Sequence, residues 1–146
     1  MTTNPPTHKD TAEFYRLALL AGLCAPTAVA QWADTIVSAE EAPDISFIEL
    51  CCAGDQPVSA LLTLLADVPG KAAPGMSGQI LLGHAARLLT AHTHTAEQLL
   101  PRIHGIANAD TFPPQACTEL TRLQDSQAFA ELPAFLAAYE PYASAL

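Results

Sequence analysis

The chain has 146 residues, half of them apolar and only 14 % charged, and a net charge of −9. That charge excludes a nucleic acid as partner, because a phosphate backbone seeks basic patches and is repelled here. No run reaches the roughly 20 apolar residues that cross a bilayer. The N-terminus "MTTNPPTHKD" also lacks a basic region followed by an apolar run, so a cytoplasmic protein without membrane contact is expected.

This length predicts a single domain. Ala and Leu dominate while aromatics make up 6 %, a balance that favours helix over sheet. Residues 1–9 are polar and contain Pro5-Pro6, which reads as a disordered tail ahead of one helical domain over 10–146. "DTAEFYRLALLAGLC" then places Phe14, Leu17, Ala18 and Ala21 on one stripe, with Asp10 or Thr11 as cap and Gly22 as terminator. "APTAVAQWADTIVSAE" starts a second helix at Pro26 and aligns Val29, Trp32, Ala33 and Ile36, Trp32 reading as a core anchor.

"DISFIELCCAG" is the third helix, opened by Asp44 and stopped by Gly54. Its inner face is expected to hold Ile45, Ile48, Cys51 and Cys52, with Glu49 outward. "QPVSALLTLLADVPG" buries Val58, Leu61, Leu62 and Leu65. "QILLGHAARLLTAH" points Leu81, Ala85, Leu88 and Leu89 inward, with Ser77 of "GMSGQ" as its cap. Thr95 caps "AEQLLPRIHGIAN", in which Pro101 predicts a kink or break. "QACTELTRLQ" and "SQAFAELPAFLAAYEPY" close the chain. The expectation is an all-α fold of about eight helices with short connections, a compact bundle or a short stack of helical hairpins of the HEAT kind.

No catalytic constellation emerges. Cys24, Cys51, Cys52 and Cys117 form no CxxC pair and sit in apolar contexts, the pattern of reduced, buried thiols. Adjacent Cys51 and Cys52 point about 100° apart on a helix, which keeps them from one ligand. His84 and His92 are eight residues apart, and His92-x-His94 has no Cys or acid at ligand spacing. No metal and no cofactor is therefore expected, and no enzyme; a small enzyme or metal protein using His84, His92 and Cys117 is the least favoured alternative.

Charge is the informative feature. Residues 1–16 are neutral overall, and residues 71–146 carry a net −2. Residues 17–70 hold Asp34, Glu40, Glu41, Asp44, Glu49, Asp55 and Asp67 without a single Lys or Arg, a net −7. Such crowding raises self-repulsion, and it also speeds encounter with a cationic partner. The plain alternative is a set of solubilising residues on solvated helix faces.

The run from Phe14 to Gly54 resembles small bacterial immunity-type proteins of polymorphic-toxin and contact-dependent inhibition systems. The residues that carry the likeness are Gly22-Leu23, Trp32-Ala33-Asp34, the connection Glu40-Glu41-Ala42-Pro43, and Ile48-Glu49-Leu50. The resemblance implies an α-helical protein that binds a cognate toxin, often a basic nuclease, and occludes it. Combined with the charge pattern, it makes Asp34, Glu40, Glu41, Asp44, Glu49 and Asp55 the candidate partner-binding residues. The partner would be a basic toxin domain. The alternative occupation is a helical adaptor or effector chaperone that holds its partner in an apolar groove.

Overall fold

A computed structural model describes residues 6–146. Among these residues every regular element is helical, as the composition predicts. Contacts group into two compact units, Met1–Ala72 and Ala73–Leu146.

The first unit holds α1 (His8–Ala21), α2 (Pro26–Ala39), α3 (Ile45–Cys51) and α4 (Val58–Ala66). Helix α1 packs on α4, α2 packs on α3, and α3 packs on α4. Part of the expected tail lies outside the described residues, but His8 and Lys9 are helical. The reason is a capping box one turn upstream of the expected cap. The Asp10 amide donates to the Thr7 hydroxyl at 3.2 Å, and the Thr7 amide donates to the Asp10 carboxylate at 2.8 Å. Asp10 is thus the returning acid of the box and not the cap. At the other end, the Gly22 and Leu23 amides donate to the carbonyls of Leu19 and Ala18, closing the helix where the sequence places its stop.

Phe14, Leu17, Ala18 and Ala21 are buried, as the stripe predicts. Across from them, Val29, Ala33 and Ile36 of α2 are buried as well. Trp32 is half-buried in a row of rings: its centroid lies 5.1 Å from Tyr15 and 5.6 Å from Phe47. Phe14 continues the row on one side at 4.8 Å from Tyr15, and His8 continues it on the other at 5.3 Å from Phe47. Edge-on and tilted rings at these separations attract beyond the apolar area they bury. Burial pushes the Tyr15 hydroxyl up to about 12, with the neighbouring Cys24 sulfur adding to it, and pushes the Cys24 thiol up to about 11.

In α4, Leu61 and Leu65 are buried, whereas Val58, expected inside, is 39 % exposed. It is the first residue of the helix, where the chain has only begun to turn towards the core.

The second unit holds α5 (Met76–Thr90), α6 (Ala96–Ile106), α7 (Pro114–Ser126), α8 (Leu132–Ala137) and the 3-10 segments Phe129–Glu131 and Glu140–Ala145. Helix α5 is its centre, packed against α8 and the 140–145 segment, while α6 packs on α7. Leu81 and Ala85 are buried as expected, but Leu88 and Leu89 are only half-buried, and Ile80 and Leu82 take the remaining core positions. Ser77 is not the cap of α5. Gly75 holds that position, and Ser77, two residues on in the first turn and buried, donates to the Thr111 carbonyl at 3.5 Å. Thr95 caps α6 as expected, with Gln98 completing the box. Pro101 neither breaks nor ends that helix, which runs on to Ile106. Its ring and Glu97 are both exposed, so the missing amide would have faced a carbonyl on the solvent side.

Two glycines of α5 let neighbouring backbone approach. A Cβ on Gly78 would collide with the Thr111 carbonyl and Phe112, and the Gly78 amide donates to that same carbonyl at 2.7 Å. This satisfies a first-turn amide that has no partner within its own helix. A Cβ on Gly83 would lie 2.5 Å from the Tyr139 carbonyl and 2.9 Å from the Ala143 amide. Helical Gly→Ala ordinarily stabilises by about 1 kcal/mol. Gly83→Ala should instead lower stability by about 1–3 kcal/mol, the range for overpacking. The 140–145 amides should lose hydrogen-exchange protection first. A gain in denaturation midpoint would contradict this packing.

Candidate functional site

The six predicted carboxylates all lie in the first unit and all are exposed. Asp34 sits on α2, Glu40 to Asp44 form the connection to α3, Glu49 is on α3, and Asp55 follows in the turn before α4. Because α2 and α3 pack on each other, five of the six ride on one helical hairpin. They are not equivalent.

Asp44 is committed to structure. Its carboxylate accepts the Ser46 amide at 3.0 Å and the Ser46 hydroxyl at 2.8 Å, making it the N-cap of α3. The backbone bond first and the hydroxyl bond second hold this carboxyl below its usual range. Glu40 ends α2, its amide donating to the Ile36 carbonyl at 3.1 Å, and its carboxylate stands 3.8 Å from the His8 ring.

Asp34, Glu41, Glu49 and Asp55 carry no salt bridge and no side-chain hydrogen bond among the described residues. Two of the unit's three Lys and Arg residues are engaged elsewhere. Lys9 lies 3.4 Å from Glu13 and donates to the Ala66 carbonyl, and Arg16 pairs with Glu13 at 3.0 Å.

The main departure from the sequence reading is the rotation of α3. Ile45 is 63 % exposed, Ile48 is 40 % exposed, and Cys52 is exposed, whereas Phe47, Leu50 and Ala53 are buried. The inner face predicted for Ile45, Ile48, Cys51 and Cys52 is in fact the outer one, with Cys51 at its margin. A short helix carrying two apolar stripes buries the one that removes more surface, and Phe47 decides it because an aromatic ring buries more area than an isoleucine. Ile45, Ile48, Glu49 and Cys52 have the spacing i, i+3, i+4, i+7, a single helical face. The two isoleucines are the candidate site residues that sequence reasoning misses. The available signal is Phe47 three residues before Leu50.

Beside this face lies an open depression of about 520 Å³ lined by Glu49, Cys52, Gln56, Ala60, Thr63 and Leu64. Nor are all the thiols buried: Cys52 is exposed and Cys24, Cys51 and Cys117 are intermediate. The expected divergence of Cys51 and Cys52 also fails, since their sulfurs lie 3.9 Å apart. Cys51 is the last helical residue, and Cys52, at φ −96° and ψ 1°, has left helical geometry.

The histidines form no centre. His92 stands at φ +59° just past α5, where its amide and that of Thr93 close the helix on Leu89 and Leu88. Among the described residues no group of three or more His, Cys, Asp or Glu is placed to hold a metal. No helix among them is long and apolar enough to cross a membrane. No family model, curated protein or solved structure matches the chain.

Asp44 offers a test of the division between structural and free acids. Its folded-state pKa is depressed, so the stability it lends is complete above the ordinary value of 3.8 and fades as pH falls through the lower folded value. Asp44→Ala should lower the melting temperature at neutral pH, and the gap to wild type should narrow below pH 3.8. Glu41→Ala should leave the melting temperature unchanged or slightly raised. Equal losses for both variants, read by thermal unfolding across pH, would contradict the assignment.

Proposed function

We propose that this chain is an immunity protein, acting in the cytoplasm, which binds a basic toxin domain through the outer face of α3 and the carboxylates around it. The observation that carries this reading is the outward pair Ile45 and Ile48, exposed on the hairpin that also carries Asp34, Glu41 and Glu49, which have no salt bridge among the described residues. Recognition surfaces combine an apolar centre that excludes water with a polar, charged rim that steers approach. The sequence likeness over residues 14–54 supports the same reading, because Glu40-Glu41-Ala42-Pro43 and Ile48-Glu49-Leu50 lie on this hairpin.

The mechanism is charge-steered encounter followed by occlusion. Asp34, Glu41, Glu49 and Asp55 attract the cationic site of the toxin, and Ile45 and Ile48 seat against an apolar patch beside it. Glu40 joins the rim, its charge partly offset by His8 when that ring is protonated. Asp44 contributes through the helix start it fixes, so it is left intact in any test of the surface.

The test uses the secreted protein encoded beside this gene, with its basic domain purified. Glu41→Lys combined with Glu49→Lys should slow association by about tenfold or more at low salt and flatten its dependence on ionic strength. Ile48→Asp should weaken affinity by at least about tenfold through faster dissociation, with the salt dependence retained. Binding of the toxin domain that neither substitution changes would overturn the proposed surface. Absence of binding together with tight capture of a secretion-apparatus protein would favour the effector-chaperone alternative.

A further inference from the structure

Cys51 and Cys52 have sulfurs 3.9 Å apart at the end of α3, with Cys52 exposed and lining the depression beside it. Two thiols this close invite three fates: a disulfide, a metal ion, or a smaller thiophile. Adjacent residues joined by a trans peptide have Cα atoms about 3.8 Å apart, below the roughly 4.4 Å minimum of ordinary disulfides. Oxidation to a disulfide therefore strains the backbone, and the dithiol is the favoured form. A structural zinc site needs four ligands, whereas among the described residues no third His, Cys, Asp or Glu joins to make a metal group. A centre satisfied by two sulfurs is what the geometry serves. Bonds of about 2.3 Å to one soft pyramidal centre, opened at about 100°, span about 3.5 Å between sulfurs, a few tenths of an ångström less than the separation observed.

We propose that Cys51 and Cys52 form a bidentate site for organoarsenic(III) compounds, which carry one organic group and two exchangeable oxygens. The reaction is a double exchange. Two As–O bonds and two S–H bonds break, two As–S bonds form, and two waters leave, with arsenic trivalent throughout. No oxidant or reductant takes part. Each thiol proton leaves with a departing oxygen as water, and the Cys51 thiol, raised by burial and then by its bond to Cys52, carries that proton before exchange. The Ile48 carbonyl, 3.1 Å from the Cys51 sulfur, accepts its hydrogen bond and holds it on the side of Cys52. Cys52 shares the outer face of α3 with Ile48 and Glu49, but the exchange involves no toxin and is tested without one.

The experiment uses the full chain, reduced, with equimolar phenylarsine oxide and a large excess of a monothiol such as 2-mercaptoethanol. Closing the second bond is intramolecular, so wild type should hold the arsenical on the order of a hundredfold more tightly than a single thiol. Intact mass should show one adduct with two waters lost from the hydrated reagent, which a small dithiol removes. Peptide mapping should place it on the fragment containing Cys51 and Cys52. Cys51→Ser and Cys52→Ser should each abolish retention, while Cys24→Ser and Cys117→Ser keep it. Wild-type protein stripped by monothiol, an adduct mapped to Cys24 or Cys117, or retention by either Cys51→Ser or Cys52→Ser would overturn the proposal.

Discussion

Phe47 fixes how α3 is turned, and the character of the first unit's surface depends on it. Its ring stands edge-on to Trp32 of α2 and receives His8 of α1 on its other side. Three helices thereby share one aromatic row, and α3 cannot rotate without pulling Phe47 out of it. With Phe47 and Leu50 inside, geometry leaves Ile45, Ile48 and Glu49 outside. The outward isoleucines are the cost of the aromatic contact, and water-exposed apolar area of this kind commonly marks a place of contact.

Electrostatics act on the same hairpin in two distinct ways. Asp44 turns its charge to the amides of α3 and starts the helix. Asp34, Glu41, Glu49 and Asp55 have no such internal use among the described residues. Two of the unit's three Lys and Arg residues, Lys9 and Arg16, are held on α1 by Glu13. With those two bases paired to Glu13, the unit keeps a net negative field, which is the condition for steering a cationic partner.

Much of this fold was legible in the sequence because its helices are long and their stripes unambiguous. Phe14, Leu17, Ala18 and Ala21 on α1, and Val29, Ala33 and Ile36 on α2, could face only one way. Thr95 announced α6 as its cap, while the box it makes with Gln98 came from the structure. The failures share a cause: local pattern lacks tertiary information where an element is short or near its end. A helix of seven residues with apolar side chains at 45, 47, 48 and 50 has two defensible inner faces, and only the waiting Trp32 chooses between them. Val58 misled because first-turn residues obey the periodicity before the helix has reached the core. The exposure of the six acids and the start of α3 at Asp44 were readable from sequence, whereas the nearness of His8 to Glu40 required coordinates.

The segment between the two compact units has a practical corollary. Lys71 is exposed, and it is the sole basic residue between Arg16 and Arg87. Trypsin, which cuts after Lys and Arg, thus finds an exposed residue one position before the end of the first unit, while Arg16 is partly shielded within α1. Brief digestion would divide the polypeptide into halves that correspond to the two units. A protease becomes a means of isolating the acidic half without redesigning the gene.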